Sequence, residues 1–127
     1  MQKTWHRSRS FLEAFKFAQS GISQVYAQES NVRRQLWLFV IGIGLALVLR
    51  ISVLEIAMLV LAGGVIISLE FFNTALEKIE DLVWPEYREA VRFSKDAAAG
   101  AVLIASLATA IVAALIFIPA IARLLVY

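Results

Sequence analysis

Residues 97–122 read AAAGAVLIASLATAIVAALIFIPAIA and contain no charged side chain. A helix needs about 20 predominantly apolar residues to cross the hydrocarbon core of a bilayer, and this stretch is longer. The whole chain has the same character, because 61% of its 127 residues are hydrophobic and its mean hydropathy is +0.77. These values exceed those typical of a soluble domain. The sequence therefore predicts an all-α membrane protein with one domain over residues 1–127.

Two more apolar stretches precede this one. Residues 36–49 are apolar or glycine throughout and the stretch continues past Arg50, which predicts a first span over residues 36–54. The second span is predicted over residues 56–81, with its end extending beyond the membrane. Trp84-Pro85 is predicted to end this helix, because proline cannot continue a helix and disfavours helical conformation at the residue before it. A loop over residues 82–94 and a third span over residues 95–122 complete this part of the chain.

The N-terminal region has a different pattern. Over residues 8–34 the apolar side chains recur near every 3.6 residues, which predicts an amphipathic helix; they are Phe11, Phe15, Ala18, Ile22, Val25 and Tyr26. Aromatic side chains on the apolar face and basic residues nearby are typical of a helix that lies in the headgroup region. Glu13, Lys16 and Gln19 interrupt the first apolar run, so the segment does not resemble a cleaved signal peptide.

The charges indicate the orientation and exclude some functions. Ten of the 12 basic residues lie before the first span or between the second and third, and only Arg50 and Arg123 lie on the other side. The positive-inside rule then predicts a multi-pass membrane protein with these regions in the cytoplasm. No basic stripe alternates with aromatic residues, so nucleic-acid binding is not expected. With no cysteine and one histidine, a transition-metal site is not expected either, whereas Mg²⁺ remains compatible.

Small residues recur every fourth position in the third span; they are Ala97, Ala101, Ala105, Thr109 and Ala113. Such a stripe permits close approach of helices in a bilayer. It serves equally well for packing within one protomer or between copies of the chain, and both interpretations are kept.

Polar side chains follow one face of the second predicted helix. Glu70, Asn73, Glu77 and Asp81 stand at i, i+3, i+7 and i+11, which places them on one stripe. Carboxylates near hydrocarbon are costly and mark a functional site by default. Glu80 lies off this stripe, and we interpret it as a side chain that reaches from the helix end to water.

Carboxylates and cations from three elements can meet at one cytoplasmic level, since Glu29 lies near the end of the amphipathic helix and Lys95-Asp96 begins the third span. Phosphoryl transfer uses such a set, because carboxylates hold Mg²⁺ and cations neutralise the phosphates. No Walker or Rossmann glycine loop is present. From these residues alone, a transporter or ion-conducting bundle remains an alternative, as does a scaffold or regulatory membrane subunit.

Two motifs resemble a known family. The segment Glu70-Phe-Phe-Asn-Thr-Ala-Leu-Glu77-Lys-Ile-Glu-Asp81 resembles the Glu-x-x-Asn-Ser/Thr-Ala-x-Glu-x-x-x-Asp signature of the prokaryotic diacylglycerol kinases, and the run from Lys95 to Leu103 resembles their second signature. The order of one amphipathic helix and three spans agrees as well. The resemblance covers residues 8–118. It implies an ATP-dependent lipid kinase of the bacterial plasma (inner) membrane. The kinase would be a homotrimeric helical bundle with its active sites at the cytoplasmic surface.

The resemblance also implies roles for individual residues. Glu70 would be the general base on the lipid hydroxyl, with Asn73 positioning it or the substrate, and Glu29 and Glu77 would hold Mg²⁺. The residues implied around ATP are Asp81, Glu86, Tyr87, Arg88, Lys95 and Asp96, and those implied for the lipid are Gly21, Asn31 and Arg33.

The acceptor is either undecaprenol or diacylglycerol. Gly21-Ile22 followed by Glu29-x-Asn31-x-Arg33 is more similar to the undecaprenol kinase branch, which favours that alcohol. Arg34-Gln35 departs from the Arg-Ile-His run of that branch, so diacylglycerol is kept as the alternative acceptor.

Overall fold

The computed structural model describes residues 10–126, and within them the chain forms four α-helices and no strand. They are α1 (Phe11–Gln28), α2 (Ser30–Val48), α3 (Val53–Val83) and α4 (Glu89–Val126). Helices α2, α3 and α4 are long and apolar enough to cross a membrane. At 1.5 Å per residue, the 31 residues of α3 extend about 46 Å, more than the hydrocarbon core of about 30 Å. The prediction of an all-α membrane protein with three spans is confirmed.

The amphipathic segment is divided into two helices. The Ser10 hydroxyl caps α1 by accepting from the Glu13 N–H, and α1 ends at Gln28, because Glu29 adopts an extended conformation. The Arg33 guanidinium donates to the carbonyl oxygens of Tyr26 and Ala27 at 2.9 and 3.0 Å. It thus satisfies carbonyls that the last turn of α1 leaves open. The sequence predicted one helix over residues 8–34, and residues 8 and 9 of it lie outside the described part.

A tight turn separates α2 from α3. Arg50 has a φ of 53°, the left-handed conformation that often ends a helix, and the Ile51 N–H bonds to the Ala46 carbonyl. Ser52 then caps α3 through a reciprocal pair of bonds with Glu55. The first span was predicted to run to residue 54, but α2 ends at Val48. The Ser-x-x-Glu pattern at 52–55 was the signal for the start of the next helix.

The connection between α3 and α4 is shorter than the predicted loop over 82–94. Helix α3 continues to Val83, and α4 already begins at Glu89. Arg92 therefore stands on the first turn of α4 rather than in a loop, and Lys95 follows on the second turn. Helix α4 also continues past Pro119 to Val126, beyond the predicted end at residue 122.

The main apolar core lies beside the α2–α3 turn, and we call this region the apolar end. Its buried side chains come from α2, the turn, α3 and α4; they are Ala46, Ile51, Leu59, Ile116 and Ala120. The small-residue stripe of α4 partly serves this packing: Ala105 is buried, and the Thr109 hydroxyl donates to the Ala62 carbonyl of α3 at 3.3 Å. Ala97 and Ala101 of the same stripe are exposed.

Helices α2 and α3 approach each other closely at Gly63. A Cβ atom at this position would collide with the ring of Phe39 on α2. A Cβ atom on the neighbouring Gly64 would meet nothing within 4 Å. Gly63 therefore permits the close packing that brings the polar residues of α3 beside α2.

Candidate functional site

Glu70 is the most enclosed member of the carboxylate stripe. Its side chain is only 7% exposed, and the Gln35 Nε2 of α2 donates a hydrogen bond of 2.8 Å to its Oε1. A buried polar group is costly unless it is hydrogen-bonded. The amide of Gln35 reduces this cost and connects α2 to α3 at that level.

The next turn of α3 carries Asn73 and Glu77. The Asn73 Nδ2 donates to the Glu77 Oε1 at 3.2 Å. The Asn73 Oδ1 is buried and has no hydrogen-bond partner within the described part of the chain. This amide thus holds one carboxylate and leaves an acceptor oxygen free beside it.

Glu29 approaches this stripe from the junction of α1 and α2. Lys78 Nζ lies 3.6 Å from the Glu29 Oε1, which ties the junction to α3. Glu29 and Glu77 both lie near enough to interact electrostatically with Glu70. Glu29 and Glu77, to which the resemblance assigns metal binding, therefore lie within electrostatic reach of Glu70, to which it assigns catalysis. Within residues 10–126 no group of three or more His, Cys, Asp or Glu side chains forms a metal-binding cluster.

A second pair of elements meets further along α3. Lys95 Nζ on α4 donates to the Asp81 Oδ1 on α3 at 2.5 Å, and Arg92 pairs with Asp96 at 3.6 Å within α4. Lys95 is half-buried, whereas Asp81 and Asp96 are largely exposed. The predicted convergence of the start of α4 with the carboxylate stripe is therefore present. We call the region from Glu70 to this ion pair, with Glu29 and Gln35, the polar end.

The other predicted contacts are more peripheral. Glu86, Tyr87 and Arg88 lie in the α3–α4 connection with exposed side chains. Arg33 caps α1 as described above, and Asn31 accepts a hydrogen bond from the Arg34 guanidinium. Gly21 lines a cavity between α1, α2 and α3. The structure does not gather these residues around Glu70.

Sequence reasoning missed two polar side chains that lie between the helices, Glu80 and Gln35. Glu80 was interpreted as reaching to water, but it is only 4% exposed, and its Oε2 has no hydrogen-bond partner among the described residues. Lys95 of α4 lies within the electrostatic reach of Glu80. Gln35 was noted only as a departure from a motif. The sequence signal for Gln35 was its place as a polar residue directly before the apolar run 36–49. A polar side chain at such a position can bond to a polar partner on another helix.

Two apolar cavities flank the polar end. One of about 450 Å³ lies between α2, α3 and α4 and has Gln35, Phe39 and Ile66 among its lining residues. The other, of about 630 Å³, is lined by Gly21, Leu36, Phe71 and their neighbours. Glu70 projects from the same stretch of α3 that contributes to both linings. A carboxylate, an amide and hydrocarbon-lined space are thus adjacent.

Comparison with known proteins adds a family relationship. The family model described as prokaryotic diacylglycerol kinase matches residues 16–117. The chain is 34% identical over 126 residues to the diacylglycerol kinase of Synechocystis sp., covering 98% of this chain and 72% of that protein. It is 30% identical over 109 residues to the undecaprenol kinase of Bacillus subtilis, covering 86% of this chain and 89% of that protein.

Proposed function

Since this chain belongs to the prokaryotic diacylglycerol kinase family and is a multi-pass membrane lipid kinase, we propose that it transfers the γ-phosphate of ATP to a lipid hydroxyl. The first candidate acceptor is undecaprenol, giving undecaprenyl phosphate, and the second is diacylglycerol, giving phosphatidic acid. The observation that carries the proposal is the buried Glu70 carboxylate, held by an amide beside apolar cavities and near two further carboxylates.

Glu70 is the general base. It accepts the proton of the lipid hydroxyl as the oxygen forms a bond to the γ-phosphorus and the bond to the ADP oxygen breaks. A positioned base contributes about 10²- to 10⁴-fold to such a step. The apolar cavities suit the hydrocarbon of the acceptor, so its hydroxyl can reach Glu70 at the end of an apolar path. Asn73 holds the neighbouring Glu77 in place.

Glu29 and Glu77 would hold Mg²⁺. Carboxylate oxygens are hard ligands, and Mg²⁺ is commonly bound by one or two carboxylates together with substrate phosphates. Two protein carboxylates therefore suffice, and the unpaired Oδ1 of Asn73 offers a further oxygen acceptor beside Glu77. When bound, the ion would neutralise charge on the phosphates. Lys78 Nζ, 3.6 Å from the Glu29 Oε1, adds a positive charge beside this pair of carboxylates.

The nucleotide lies on the far side of the stripe from the cavities. Lys95 directs its ammonium group to the phosphates, with Asp81 and Asp96 orienting the cations around it. Glu86, Tyr87 and Arg88, in the short connection, complete the nucleotide contacts. For the lipid acceptor, Gly21 lines the cavity of about 630 Å³, and Asn31 and Arg33 lie at the headgroup level.

The site faces the cytoplasm of a bacterial inner membrane, and the protein acts as a homotrimer. The basic residues concentrated at the polar end support this orientation. The exposed Ala97 and Ala101 at the start of α4 support association, because small residues allow a helix of another copy to approach.

The decisive experiment offers the purified protein undecaprenol and diacylglycerol in separate mixed micelles with ATP and Mg²⁺, and resolves the lipid products. We expect a phosphorylated product whose formation requires Mg²⁺ and proceeds faster with undecaprenol. A faster reaction with diacylglycerol would assign the second acceptor. Absence of phosphate transfer to either alcohol would refute the proposed reaction.

A further inference from the structure

Gln35 makes the hydrogen bond that joins α2 to α3 at Glu70. The two residues are 35 positions apart in the chain, and the Nε2···Oε1 distance is 2.8 Å. The Oε1 of Gln35 is buried and has no hydrogen-bond partner within residues 10–126. The N–H group of this amide therefore makes a hydrogen bond to Glu70, whereas its carbonyl oxygen has no partner in the described part of the chain.

We propose that Gln35 is a positioning residue, which fixes one oxygen of Glu70 so that the other oxygen is presented to the acceptor hydroxyl. The inference rests on the proposed function, since it assigns a partner to the general base. Gln35 itself does not exchange a proton in the reaction, and its effect passes through Glu70.

A packing role alone does not account for the amide. Gln35 lines the apolar cavity of about 450 Å³, where an aliphatic side chain of similar length would make comparable contacts. Such a side chain would also avoid a buried acceptor without a partner, which is costly. The group that distinguishes glutamine from an aliphatic residue here is the N–H that meets Glu70.

The neutral charge of the amide suits this role. A lysine or arginine in its place would offset the charge of Glu70, and that charge attracts the hydroxyl proton. An amide orients the carboxylate and leaves its charge in place. Glu77 and Glu29 lie near enough to Glu70 to repel its carboxylate. Without Gln35, a carboxylate repelled in this way has more freedom to rotate away from the acceptor.

The first test replaces Gln35 by methionine, which has a similar length and no N–H donor. We expect kcat to fall about 10- to 100-fold, the range that small misplacements of reacting groups cause, with the KM for ATP unchanged. The KM should not change because Lys95 and Asp81 lie further along α3 and α4. The matched control is Gln24→Met on α1, which also removes an amide hydrogen bond, that to the Ser20 Oγ at 3.0 Å. This control should retain the wild-type kcat.

The second test asks whether Gln35 acts through Glu70. In a Glu70→Gln background the base is absent, so adding Gln35→Met should cause no further loss of rate. A structural defect would instead lower the residual rate again. If Gln35→Met does not yield folded protein, Gln35→Leu also removes the donor and places a shorter aliphatic side chain against the apolar cavity. This variant should show the same fall in kcat.

The results separate the inference from the proposed function. Wild-type phosphorylation of a lipid alcohol tests the proposed function and is measured first. With that activity present, a wild-type kcat for Gln35→Met or Gln35→Leu would overturn the positioning role. Multiplicative losses in the double variant would overturn it as well.

Discussion

The two ends of the helical bundle are held together in different ways. At the apolar end, aliphatic side chains of α2, α3 and α4 bury one another around Ile51. At the polar end, the buried side chains include Glu70, Thr74 and Glu80, and the links between helices are single polar contacts. In a bilayer, close van der Waals packing of side chains holds helices together, whereas exposed ion pairs contribute little. The difference indicates that stability resides mainly at the apolar end and chemistry at the polar end.

The largest expected effect comes from Glu70→Gln. This substitution preserves shape and the capacity to hydrogen-bond, but the amide cannot accept the hydroxyl proton. We expect kcat for lipid phosphorylation to fall about 10³-fold, with little change in thermal stability. The measurement is phosphate transfer to the preferred lipid in mixed micelles, together with thermal unfolding in the same detergent. A variant that retains most of the wild-type kcat would remove Glu70 from the chemistry.

The second prediction concerns the glycine between the two ends. Gly63→Val would force the Phe39 ring or the α2 backbone to move, and overpacking of this kind costs about 1 to 3 kcal/mol. We expect a lower unfolding midpoint, measured by circular dichroism in detergent. Gly64→Val is the matched control, because its side chain would enter open space. Equal midpoints for the two variants would contradict the close approach of α2 and α3.

The third prediction tests the polar end with a substitution that leaves Glu70 unchanged. Lys95→Met removes the ammonium group that we assign to the phosphates, so the KM for ATP should rise about tenfold, the effect of losing one charged hydrogen bond. Thermal stability should hardly change, because the pair with Asp81 is largely exposed. Arg123→Met provides the control, since Arg123 lies in the last turn of α4, away from Asp81. A wild-type KM for Lys95→Met would exclude this residue from the nucleotide contacts.

The sequence was sufficient for the features that repeat along the chain. Apolar length predicted the three spans, and the spacing of Glu70, Asn73 and Glu77 predicted one polar face, because both depend on the periodicity of a single helix. The break at Glu29 was not predicted, since it depends on Arg33 reaching back to α1. The burial of Glu80 and the bond from Gln35 to Glu70 depend on which helices become neighbours. Such contacts between distant residues leave no periodic pattern in one sequence.

The smallest expected effect lies at the apolar end. Ser52→Ala removes the hydroxyl that accepts from the Glu55 N–H at the start of α3, and loss of such a cap costs about 1 kcal/mol. We expect a small decrease in the unfolding midpoint and no change in kcat, since the cap stands at the opposite end of α3 from the carboxylate stripe. Ser68→Ala is the matched control, because the Ser68 hydroxyl donates to the Gly64 carbonyl within α3 and does not cap a helix end. A fall in kcat for Ser52→Ala at unchanged stability would show that the two ends of the bundle are coupled, contrary to the division of roles inferred from their packing.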